Sequence, residues 1–448
     1  MVMAVIRTIS GWGRRAVLIL VLLVASATLS RLVSPNVTYD SWQYLSSGMS
    51  LAQGTFPDGY FLIREPLYPL LISLVIGVGL SLEVLVGLQV FLFLHALSML
   101  WNMFRLGNER RSRVTVATIW IAITVFLYGG YASFVGQQLI MFWLAVLFLY
   151  VDSTMGDRDV KANFAYHLGV GLLASLCSVF FAASLLILWA LRLSAILINQ
   201  KSFRKSLKTL VGQGLNWTII GVTAALSAWS LFRMSLPEYQ DQLASDRLVS
   251  QGMFGPHKSV LENSIPLETA MITSFLANLD LVPNQGWGLD TSLGKALPGN
   301  PNYFFGSAPL LGGIDDCVPK PSPSVPYVSL ETLEYFVDCE EPAGYLAPPL
   351  PMVILWVGSH LVGTLLLLLG LVSVFFRLPN NELMKLSWLL AFSLSASYAI
   401  FLGGIPRYGM PSQILFMVLG LTLLLRGFPG ADLWRSKISP NRLVGDLS

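Results

Sequence analysis

Charge is what this chain has least of. Only 12% of its 448 residues are Asp, Glu, Lys or Arg, about half the share of a soluble globular protein. A chain so poor in charge and 54% hydrophobic does not solvate an ordinary surface, so a soluble enzyme domain is excluded. Three cysteines and four histidines are too few and too scattered for HExxH or paired CxxC zinc spacing. There is no Walker loop and no GxSxG elbow. No basic patch interleaved with aromatics is present, so no nucleic-acid partner is read. No internal repeat is visible either.

What remains is a succession of long apolar runs, the signature of an all-α polytopic membrane protein with about ten transmembrane helices. The net charge of +3 hides an uneven distribution. Residues 237–351 hold fourteen acidic against four basic side chains, whereas basic residues gather in short loops elsewhere. Positive charge stays on the cytoplasmic side, so the acidic stretch faces outward. Both termini are read as cytoplasmic, and the protein as a multi-pass protein of the cell's inner (plasma) membrane.

Arg7, Arg14 and Arg15 precede a first span from Ala16 to about Val33. Ala25-Ser26-Ala27 resembles a signal-peptidase site, with retention of the span the favoured reading because the apolar run continues past it. Residues 34–65 are polar. Pro66–Leu80 is apolar but short of the about 20 residues a crossing needs, and the run Glu83–Phe104 ends at arginine-rich RLGNERRSR. Length and charge together place Pro66–Leu80 in the outer leaflet, as part of a first outer loop (34–82) with interfacial helices. The alternative is that both segments cross and the arginines sit outside. Further spans are expected at Val114–Tyr131 and Leu139–Asp152. Two more share 165–199, turning near Ser178–Ala182, and the next is Leu210–Met234. The last three are Met352–Phe376, Leu386–Gly403 and Gln413–Leu425. The chain therefore divides into an N-terminal transmembrane module (1–234), a large outer segment (235–350) and C-terminal helices with a short tail (351–448). PLETAMITSFLANLDL in the large segment reads as one amphipathic helix.

Several polar groups are candidates for chemistry. Asp40 lies outside, close to the bilayer, where a carboxylate can act as general base on a hydroxyl; taken alone, it reads first as a helix cap. Tyr44, four residues on, shares its face in a helix. Arg64 can hold a phosphate bidentately, or serve as an interface anchor. Its neighbour Glu65 is a second acid, or half of a local ion pair. Arg407-Tyr408 falls at an outer turn, against the positive-inside trend, and suits an anionic headgroup; Arg233 poses the same question. Gln137 and Gln138 at an outer turn, Tyr68, and His360 inside a span are candidate cavity residues, with helix-end and core roles as the plainer readings. His95 and His167 read as structural, and Cys177 as packing. Cys317 and Cys339 share the acidic outer segment and are expected to form a disulfide in an oxidising compartment, the alternative being two thiols. No metal site and no cofactor are assigned; a divalent cation recruited by scattered outer carboxylates stays open.

Taken together, Asp40…Tyr44, Arg64-Glu65-Pro66-Leu67-Tyr68-Pro69 and Arg407-Tyr408-x-x-Pro411 resemble the GT-C class of integral-membrane glycosyltransferases. The pattern is similar to that of the polyprenyl-phosphate-sugar-dependent protein O-mannosyltransferases and aminoarabinose transferases. The resemblance implies an inverting transfer of sugar from a polyprenyl-phosphate-linked donor to a hydroxyl of a glycan, lipid or protein acceptor on the non-cytoplasmic face. It implies Asp40 as base and Arg407 on the leaving phosphate, helped by Arg64 or Arg233. Two departures stand out. Gln137-Gln138 occupies a place where many members carry an acid, and an Arg-Pro pair is missing from the turn around Phe180. A transporter or flippase for lipid-linked saccharide, and a non-catalytic scaffold of an envelope assembly complex, are the competing readings.

Overall fold

The computed structural model describes residues 39–55, 65–104, 111–128, 136–155, 160–199, 214–236, 267–279, 281, 350–374, 382–401 and 406–426. Those residues form twelve helices and no strand. Nine of them, of 18 to 23 residues, run back and forth as a bundle. They are α3 (Leu82–Met103), α4 (Arg111–Tyr128), α5 (Gln138–Met155), α6 (Val160–Cys177), α7 (Val179–Asn199), α8 (Gly214–Met234), α10 (Leu350–Val372), α11 (Glu382–Phe401) and α12 (Pro406–Arg426). The three short ones are α1 (Tyr39–Ala52), α2 (Leu67–Gly77) and α9 (Leu267–Asn278).

The long helices coincide with the runs expected from hydropathy. The 165–199 stretch breaks at Ser178, which is outside both flanking helices. The first span and most of the large outer segment, with Cys317 and Cys339, lie outside the described residues, as does Arg64. Large apolar side chains project outward along several helices, among them Leu361, Leu365 and Leu368 on α10 and Leu231 and Phe232 on α8. Such continuous apolar exposure suits hydrocarbon rather than water.

Packing is close where glycine allows it. α6 lies against α8, and α10 against α12. A Cβ on Gly171 would strike the Thr218 backbone, and one on Gly370 or Gly420 the facing backbone of Phe416 or Leu366. Small residues at such crossings let helices approach and gain dispersion contacts that lipid cannot supply. Contacts of α11 with α7, and of α12 with α5, join the N-terminal and C-terminal groups of helices.

The apolar run Pro66–Leu80 contains α2 (Leu67–Gly77). The helix's 11 residues span about 16 Å, roughly half a hydrocarbon core. It buries Tyr68, Pro69 and Ile72 while Leu70, Leu74 and Val78, spaced by four, stay exposed. It ends in a turn where Gly79 takes φ 76°, a conformation that suits glycine, and Ser81 leads into α3.

Candidate functional site

One end of the bundle, here the upper end, holds Tyr44, Glu65, Tyr68, Gln137 and Gln138, all flagged in the sequence. It is defined by the starts of α3, α5, α7 and α12, with α2 packed against α3 and α6. α1 packs on α2, and the crossing is tight because Gly48 meets Ile72 and the Pro69 carbonyl. Tyr44 and Tyr68 are buried edge-to-face with centroids 5.2 Å apart, a favoured aromatic geometry.

Tyr68 is the hub of this end. Its hydroxyl donates to Gln89 Oε1 at 2.7 Å and accepts from the Gly136 backbone N–H. It thereby ties α2 to the second turn of α3 and to the segment leading into α5. Burial pushes its phenol well above the ordinary tyrosine range, against the opposing pull of the Gly136 bond, so it remains a hydrogen-bond donor. Gln89 is fully buried, an amide in a mostly apolar helix. It was not singled out in the sequence, where a polar residue inside a span was the available signal.

Glu65 stands just before α2 and is buried. Its Oε1 accepts from the Val179 N–H, 2.8 Å away, at the first residue of α7. A carboxylate there satisfies an otherwise unpaired helix donor and meets the positive end of the helix dipole. This is the turn in which the Arg-Pro pair is missing. Next to it, Ser178 Oγ lies 3.4 Å from the Tyr398 hydroxyl in the last turn of α11. The start of α12 follows shortly after, so the first loop and α12 share this end.

Gln137 and Gln138 are both buried at the start of α5. The Gln137 Oε1 is buried and has no hydrogen-bond partner among the described residues. Gln137 adjoins Gly136, whose N–H meets the Tyr68 hydroxyl.

Asp40 lies within the first turn of α1, one turn ahead of Tyr44 in register, rather than at a residue preceding the helix. Arg407 and Tyr408 lie in the first turn of α12, which starts seven residues before the expected Gln413. Pro406 fits a first helical position, where its missing N–H costs nothing. The side chains of Asp40, Arg233, His360, Arg407 and Tyr408 are outside the described residues, although their backbones are helical. Among the described residues no three His, Cys, Asp or Glu side chains gather as metal ligands. Cys177 is a free, buried thiol. His95 accepts from Trp143 Nε1, and His167 pairs with the Thr218 hydroxyl at 3.0 Å.

No protein-family model matches this chain, and no curated protein matches it in sequence. The chain is similar in structure to ArnT from Cupriavidus metallidurans, in a crystal structure bound to undecaprenyl phosphate, with TM-score 0.48 and 12% identity. The match covers 96% of this chain and 63% of that one, so this chain spans less than two thirds of that protein's length. A likeness of this degree describes a similar run of helices and nothing of their chemistry.

Proposed function

We propose that the chain is a GT-C-like integral-membrane glycosyltransferase working at the upper end of the bundle, which is the non-cytoplasmic face. It takes a polyprenyl-phosphate-linked sugar and passes it to a hydroxyl of a glycan, lipid or protein. The observation that carries this reading is convergence. The first turn of α1, which holds Asp40, the buried Glu65–Tyr68–Gln89–Gln137 group and the first turn of α12, which holds Arg407, lie at one end of the bundle. The sequence motifs that resemble the glycosyltransferases supply exactly these elements' first turns, though they are far apart in the chain.

The chemistry follows from those groups. The Asp40 carboxylate takes the proton of the acceptor hydroxyl as its oxygen attacks the anomeric carbon. The bond from that carbon to the phosphate oxygen breaks, and the electron pair leaves with the polyprenyl phosphate. Arg407, with Arg64 or Arg233, offsets the charge that accumulates on the phosphate. Attack opposite the leaving group inverts the centre. Tyr44 and Tyr68 wall the site, with Gln137 beside them. The segment 235–350 selects the acceptor.

The test is reconstitution of the full chain in vesicles carrying labelled polyprenyl-phosphate sugar in one leaflet. A new labelled glycoside with release of polyprenyl phosphate is expected. Intact sugar lipid redistributed between leaflets, without a glycoside, would instead indicate a flippase. Unchanged sugar lipid throughout a range of acceptor hydroxyls would point to a scaffold.

A further inference from the structure

The large segment between α8 and α10 reaches the bundle through α9, whose last residue is wedged between α11 and α12. Asn278 is fully buried there. Its Nδ2 donates to the Ser395 backbone carbonyl of α11 at 3.1 Å. Its own backbone carbonyl accepts from Gln413 Nε2 of α12 at 2.6 Å. The same carbonyl rests on Gly409, where no Cβ fits. Gly409 and Gln413 are one turn apart and so present one face of α12 to the end of α9.

The position of this contact is informative. Burying amides in an apolar seam is costly unless they are bonded, and apolar residues would pack the seam as well. Further along, α12 is held by close apolar packing on α10 at Gly420 and Gly370. The amide fastening to α9 falls in the opening turns. Those turns are also the least self-supporting, because Pro411 lies inside the helix and cannot donate to the carbonyl of Arg407 four residues earlier.

We infer that Asn278 and Gln413 are positioning residues: they fasten the opening turns of α12, and Arg407 with them, to the acceptor-side segment, coupling that segment's placement to phosphate binding. The inference rests on the reading of Arg407 as a phosphate ligand. A residue acting through Arg407 has no further effect once Arg407 is gone, whereas a merely structural residue adds its effect in either background.

The experiment measures binding of farnesyl phosphate, a short polyprenyl phosphate, to the full chain in detergent. Arg407→Ala should weaken it about tenfold or more, the value of a charge-assisted bond to phosphate. Gln413→Met, similar in shape but without the donor, should weaken it about threefold to tenfold. In the Arg407→Ala background Gln413→Met should add less than about twofold. Equal effects of Gln413→Met in both backgrounds, or none in the first, overturn the inference while leaving the phosphate site standing. Unchanged binding in Arg407→Ala removes the phosphate reading itself. Asn278→Ser, which keeps the carbonyl on Gly409 and Gln413, runs through the same cycle. It decides the matter if Gln413→Met does not fold.

Discussion

The two ends of the bundle hold their polar groups in different ways. At the upper end the bonds are short and dry, and they join residues far apart in sequence: Glu65 to Val179, Tyr68 to Gln89, Asn278 to Gln413. At the lower end Asp152 and Arg192 stand 3.9 Å apart, each partly exposed, and the buried Arg192 Nη1 makes no hydrogen bond among the described residues. His167 sits nearby, bonded to Thr218. The upper groups are fixed in place without relying on solvent, as a reacting centre requires. The lower pair is a loose ionic contact between helix ends. The upper end is also where the residues flagged in the sequence lie, and satisfied bonds in a buried place hold position better than a stretched ion pair.

Substitutions at the two ends should therefore differ in size. The largest loss is expected for Glu65→Ala, which strips the start of α7 of its acceptor and should cost about 2–3 kcal/mol, read as thermal unfolding in detergent. Glu65→Gln, which keeps an acceptor oxygen, should recover part of it. A smaller loss, about 1–2 kcal/mol, is expected for Tyr68→Phe, which removes the hydroxyl bridging Gln89 and Gly136; the same melt measures it. The smallest is expected at the lower end, where Asp152→Asn should change stability by less than about 1 kcal/mol. A lower-end loss as large as that of Glu65→Ala would erase the contrast.

Much of the bundle was legible beforehand, and the reasons are physical. Long apolar runs bounded by basic loops located the helices α3 to α8 and α10 to α12. Basic flanks on both sides of 165–199 required a turn, which falls at Ser178. The start of α12 was misjudged because Gly, Pro and Tyr around Arg407 read as a turn. Pro406 instead opens the helix, and Gly409 is there for the close approach of Asn278. At the site, Tyr44, Tyr68, Glu65, Gln137 and Gln138 were all flagged and all lie buried at one end. What each one touches was not legible, since Gln89, Gly136 and Val179 are partners only after folding. Asn278 and Gln413 gave no signal beyond being polar, because a latch between distant helices has no local pattern.

The central claim is that the upper end is a centre for sugar transfer with Asp40 as its base. It is tested most directly by the rate of transfer from labelled polyprenyl-phosphate sugar by Asp40→Asn beside the unaltered chain, with the melting temperature of both. The account predicts a rate lower by about a hundredfold or more, the share usual for a general base, at an unchanged melting temperature. Undiminished transfer by a well-folded Asp40→Asn would contradict it.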